Sequence, residues 1–130
     1  MESFNHNSGQ HLIIGDAKIY YETAGDKNKD VLLLLPGGFG NIEDFNIILP
    51  SLLNEFYIIG IDSRGHGKST LGKQPLTYGR IQLDVEEVLK FQHIDKLHIL
   101  GFSDGGIVAY RLASLGSLHT RKLVTIGSRW

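Results

Sequence analysis

The segment Gly101-Phe102-Ser103-Asp104-Gly105 sets one serine between two glycines, directly behind the apolar run LHIL. A G-x-S-x-G at the end of a strand turns the chain sharply into a helix and holds the serine at the apex. The glycines leave room where a Cβ would collide with a neighbouring element. The helix that begins there aims its unsatisfied N–H groups and positive end at whatever the serine attacks. Ser103 is therefore the candidate nucleophile, and the Asp104 N–H a donor to the oxyanion that would develop. The bland alternative is a glycine-rich strand-to-helix turn without chemistry. Acyl transfer also needs a second backbone donor, from a loop after an earlier strand. Gly37-Gly38-Phe39-Gly40, behind LLLLP, is such a loop, or else a plain tight turn. Phe39 and Phe102 suggest apolar substrate-binding walls beside the nucleophile.

Rival motifs fail on spacing. Gly67-Lys68-Ser69 resembles the end of a phosphate-binding loop, but Asp62 stands where its first glycine is required. A dinucleotide fingerprint started at Gly38 reaches Glu43, and one started at Gly101 meets Ser103. The histidines are scattered, none pairs with carboxylates at ligand spacing on one helix face, and neither a metal nor a cofactor is expected. Serine attack needs a base, normally histidine, oriented by a carboxylate. After Ser103 the chain offers only Asp104 and His119. His119 precedes the strand KLVTIGS and His93 precedes KLHILG, which puts both at the pole opposite Ser103. His98 lies inside a strand, and His6 and His11 near the amino terminus; each reads as a surface or satisfied histidine. His66 is the histidine expected at the Ser103 pole.

The elements that must position these residues follow from short apolar runs ending in glycine, each followed by an amphipathic stretch. HLIIGDAKIYYETAG reads as a hairpin about Gly15-Asp16. DVLLLL is apolar along its length, as a strand buried on both faces must be. A helix is predicted over Asn41 to Asn54, with Phe45, Ile48, Leu49 and Leu52 inward and a kink or early stop at Pro50. FYIIGID, KLHILG and KLVTIGS are further strands. TYGRIQLDVEEVLKFQH, with Ile81, Val85, Val88, Leu89 and Phe91 on one stripe, and IVAYRLASLG are helices. The expected fold class is α/β, a mostly parallel sheet flanked by helices, as a single domain over residues 1–130. In such sheets the site lies beyond the carboxyl ends of the strands, where Pro36 to Gly40, Ser63 to Lys73 and Phe102 to Gly106 meet.

A net charge of −1 supplies no basic field for nucleic acid or anionic lipid. No apolar run approaches a membrane span, and cysteine is absent, which excludes thiol catalysis and disulfides. No nucleic-acid or membrane partner is expected, and a cytoplasmic location is.

The chain resembles the α/β-hydrolase family over nearly its whole length. IYYETAGDKNKDVLLLLPGGFGNIEDF is similar to that family's hairpin, third strand and oxyanion loop, IDSRGHGKS to its D-x-R-G-x-G-x-S segment, and GFSDGG to its nucleophile elbow. The resemblance implies Ser103 as nucleophile and the N–H groups of Gly38 and Asp104 as oxyanion hole. It implies a structural role for His66, and Asp62 and Arg64 tied to each other or to loop backbone. Pro36 departs from the pattern, replacing the histidine that commonly opens the oxyanion loop. Family members continue into a lid, two further strands, an acid and a base, so the chain reads as the amino-terminal part of the fold, lacking the lid and last strands. That leaves an apolar edge near residues 123–127 open to self-association or to the remainder of the protein. Two functions stay open: a serine hydrolase acting on an ester, thioester or related acyl bond of a small molecule, and a non-catalytic hydrolase-fold protein used for binding or assembly.

Overall fold

The computed structural model describes residues 2–128. Strands β1 (Gln10–Ile14) and β2 (Ala17–Ala24) form the antiparallel hairpin, turning at Gly15 with φ +61°. β3 (Asp30–Leu35), β4 (Phe56–Ile61), β5 (Lys96–Phe102) and β6 (His119–Ile126) complete one six-stranded sheet in the order β1-β2-β4-β3-β5-β6. β2 joins β4 antiparallel, while β3 pairs with β4 and β5, and β5 with β6, all parallel. β3 is thus central, and Leu32 to Leu35 are buried on both faces, as the uninterrupted leucines anticipate.

Both faces of the sheet carry a core. On one, Leu33, Ile59 and Ile99 pack beneath α2 (Tyr78–Phe91) and α3 (Asp104–Leu115) through Val85, Val88, Leu89, Val108 and Leu112. On the other, Leu32, Leu34 and Ile58 are covered by Phe4, Ile42, Phe45 and Leu49. The predicted Asn41–Asn54 helix is two pieces, a 3-10 turn over Ile42–Ile47 and a short α1 (Leu49–Leu53). Pro50 explains the break: it fits the first turn of a new helix, where no intrahelical donor is required, but not a helix interior. Phe91, expected inward on α2, is more than half exposed at its last turn.

In the loop after β4, Asp62 and Arg64 bind loop backbone, one of the two expected arrangements, through Lys68 and Leu71. Asp62 and Arg64 do not bond to each other. The Asp62 carboxylate accepts the backbone N–H groups of Ile42 (3.0 Å) and Lys68 (2.9 Å). The fully buried Arg64 also reaches Asp84 on α2 with a two-pronged fork, both contacts at 2.8 Å. That hydrogen bonding raises the Arg64 pKa further, against the opposing cost of its burial. Together the two acids tie the loop after β4 to the 3-10 turn and to α2.

Candidate active site

β5 ends at Phe102 and α3 begins at Asp104, so Ser103 is the joint between them. Its φ of 53° and ψ of −115° lie outside the regions L residues favour, a strain that persists only when the surroundings impose it. They do so here. The Ser103 N–H donates to the Ile126 carbonyl (2.8 Å), and its own carbonyl accepts from the Gly106 N–H (2.9 Å) and the Ser128 hydroxyl (2.7 Å). Glycine is required on both sides: a Cβ on Gly101 would come within 2.5 Å of the Gly105 carbonyl oxygen, and one on Gly105 would overlap the Leu35 carbonyl. Among the described residues the Ser103 hydroxyl has no hydrogen-bond partner.

The three loops beyond the carboxyl ends of β3, β4 and β5 converge on one cavity of about 460 Å³. Pro36, Gly37 and Gly38 line it from the first loop, Ser63 and His66 from the second, and Asp104 and Gly105 from the third. Leu76, Thr77, Tyr78 and Ile81 close it from the entry to α2, which Thr77 caps by accepting the Arg80 N–H (3.0 Å).

Gly37 to Gly40 form a tight turn, with the Gly40 N–H on the Gly37 carbonyl (3.1 Å) and Phe39 left-handed at φ +63°. Gly38 lies against the Asp104 carboxylate, so closely that a Cβ would overlap it. Neither the Gly38 N–H nor the Asp104 N–H has an acceptor among the described residues. Gly38 and Asp104 thus each carry an unpaired backbone donor and line the cavity, while Ser103, against which Gly37 packs, is not among the lining residues. The Phe39 ring is fully exposed, 6.3 Å from the His66 ring, and Phe102 is half exposed against Gly37; neither belongs to the cavity lining.

Asp104 is the carboxylate in the cavity wall. It accepts the Tyr78 hydroxyl (3.0 Å), which raises the tyrosine pKa by hydrogen bonding, and no described Lys, Arg or His forms an ion pair with it. His66 lies 3.0 Å from the Arg64 carbonyl through Nδ1. A carbonyl only accepts, so that partner assigns the proton to Nδ1 and leaves Nε2 as an acceptor. No described carboxylate orients the His66 ring. His119 starts β6, its N–H on the Asp95 carbonyl (2.8 Å), at the amino ends of the strands.

His6 is a satisfied histidine, with partners the sequence did not indicate. Its ring is held between Asp62, 2.7 Å from Nε2, and Glu43, at Nδ1. Those partners are 56 and 37 residues away in the chain, so no local spacing could reveal them. None of the cluster's members lines the cavity.

The model of the alpha/beta hydrolase fold family matches residues 30–130. The chain is 33% identical over 100 residues to the esterase YbfF of Escherichia coli, covering 76% of this chain and 39% of the esterase. It is 30% identical over 122 residues to the human serine hydrolase BPHL, covering 90% of this chain and 42% of that protein. Among solved structures, a hydrolase from Pseudomonas aeruginosa superposes with a TM-score of 0.88 at 30% identity, covering 95% of this chain and 47% of the hydrolase. The chain thus spans less than half the length of each of these proteins. With the strained serine joint, the paired glycine loops and a match that runs from β3 onward, the chain belongs to the alpha/beta hydrolase fold family.

Proposed function

We propose that this chain carries the nucleophile and oxyanion hole of a serine hydrolase acting on an ester, thioester or related acyl bond of a small molecule. The observation that supports the reading is a serine held in a strained conformation at the β5–α3 joint, together with unpaired N–H groups on the next residue, Asp104, and on Gly38 of the neighbouring loop. In the reaction the Ser103 oxygen bonds to the acyl carbon and its proton passes to a base. The carbonyl electron pair moves onto oxygen, where the two amides stabilise it. Collapse of this intermediate expels the alcohol or thiol and leaves an acyl-serine, which water then cleaves. Relatives named as esterases support the acyl class.

No acid and base are assigned among the described residues, because no described carboxylate backs His66; the matched stretch covers 39% and 42% of the esterase and serine-hydrolase relatives. A second reading, a hydrolase-fold protein that binds without turnover, draws on that same missing pair. A fluorophosphonate probe separates the two. Without its base the first reading expects slow covalent labelling, sustained by the oxyanion hole, that Ser103→Ala abolishes; an intact fold that never labels would favour the second for this polypeptide.

A further inference from the structure

The amino-terminal segment before β1 is pinned at three depths. Phe4 is buried in the core beneath β3 and β4, and its backbone is matched to the Asn46 side chain in both directions, at 2.8 and 2.9 Å. The backbone N–H groups of Asn5 and His6 donate to the buried Glu22 carboxylate of β2, at 3.1 and 2.6 Å. His6 adopts a left-handed φ of +54°, costly for a residue with a Cβ. That conformation delivers its ring between Asp62 and Glu43.

Both acids adjoin the cavity loops, Asp62 by hydrogen bonds and Glu43 by its place in the chain. Asp62 takes the N–H of Ile42, two residues past Gly40, and the N–H of Lys68, two residues past His66. Glu43 sits in the 3-10 turn that follows the glycine loop directly. We propose that His6 is a positioning residue whose ring, bridging Asp62 and Glu43, staples the amino-terminal strap to the Gly37–Gly40 and Ser63–Lys68 loops. Its bearing on catalysis rests on the hydrolase reading; the staple itself does not.

Every charged group facing the ring has been placed by the fold. Glu43 comes from the 3-10 turn and Asp62 from the end of β4, while Glu22 of β2 takes the backbone N–H of His6 rather than its ring. Lys68 approaches the neighbouring Tyr20 ring at 5.7 Å, and that ring stands 5.3 Å from His6. Two carboxylates contact the ring itself, so an imidazolium can donate to both, whereas a neutral ring has one N–H and leaves one of the two acids without its hydrogen bond. Burial works against the charged ring, but the hydrogen bonds and charges of Glu43 and Asp62 outweigh it and raise the His6 pKa above 6.5. A raised folded-state pKa means that the staple is complete below the ordinary imidazole range and is released as pH climbs through the folded-state value.

Amide hydrogen exchange and histidine NMR, recorded from about pH 5.5 to about pH 9 across the imidazole range, test this without requiring Ser103 to react. In the natural sequence the His6 ring should titrate above the ordinary histidine value. Protection of the Ile42 and Lys68 amides should fall by roughly tenfold or more as it does, the scale of one charge-assisted hydrogen bond. His6→Gln should show the lower protection at every pH. Glu43→Gln, on the exposed side of the cluster, should bring the His6 midpoint down toward the ordinary value while the protein stays folded. A His6 midpoint at or below the ordinary value, or Ile42 and Lys68 protection unchanged in His6→Gln, would overturn the proposal. Failure of Ser103 to label would count against the hydrolase reading alone.

Discussion

At the scale of single residues, the site depends on atoms that are missing as much as on those present. Gly38 has no Cβ, and one there would meet the Asp104 carboxylate, which can swing away about its own side-chain bonds. Gly105 has none either, and one there would meet the Leu35 carbonyl, fixed in the central strand. The two alanine variants should therefore separate. Gly105→Ala is expected to lower the thermal midpoint, costing about 1–3 kcal/mol as overpacking against immobile backbone does. Gly38→Ala should stay folded and lose labelling rate, approaching the roughly hundredfold loss that follows disabling one oxyanion donor. Calorimetry beside fluorophosphonate labelling rates reads both; equal losses of stability in the two variants would contradict the distinction. The charge on Asp104 adds a preference. A carboxylate in the cavity wall without a described cation repels anionic acyl groups, so probes bearing a carboxylate near the reactive centre should label more slowly than neutral ones, and Asp104→Asn should narrow the gap.

At the scale of elements, the Arg64–Asp84 pair clamps the loop after β4 onto α2, with both side chains essentially out of water. Arg64→Met leaves a buried carboxylate with only Arg80, at 3.0 Å on the next turn, to balance it. Removing one member of a buried pair typically costs about 3–5 kcal/mol, and urea denaturation should register a loss on that scale. Adding Asp84→Leu should recover much of it, since an apolar pair has no uncompensated charge to bury. The loop's anchoring was the part least legible in the sequence. The strands and the serine joint are local features: four consecutive leucines bounded by turn residues fit a strand covered on both faces, and glycines around a serine ease a sharp turn. The three loops at one pole follow from parallel connectivity, and they do line one cavity. The destination of a long polar side chain does not follow from its neighbours in sequence. Asp62 and Arg64 sit two residues apart and bind different elements, and His6 finds its partners only after the chain has folded. Pro50 was legible as a disturbance of the helix, but whether it kinks or restarts that helix is decided by packing against β4.

At the scale of the whole molecule, the sheet is unevenly covered. α2 and α3 roof one face, whereas on the other the short α1 and Phe4 lie over β3 and β4 and leave β5 and β6 in large part open. A groove of about 600 Å³ runs there between α1 and β6, floored by Leu32, Leu100 and Val124 and flanked by Phe56. β6 closes the order of strands, and Val124 and Ile126 are about half exposed on it. Such an edge offers unpaired backbone groups beside apolar side chains, a combination that recruits another strand. We propose that the isolated chain self-associates through β6. Sedimentation should show species larger than the monomer whose share grows with concentration. Val124→Lys, which puts a charge where a partner strand would have to pack, should shift the population toward monomer with little change in the thermal midpoint of the core. The serine joint makes this edge matter to the site as well, because Ser103 hangs from the Ile126 carbonyl and the Ser128 hydroxyl at the end of the same strand. Fixing β6 against any partner strand should therefore also hold the Ser103 amide, and its exchange should slow as association proceeds. A chain that stays monomeric at all concentrations, with the outward amides of β6 exchanging freely, would show that the open edge is tolerated.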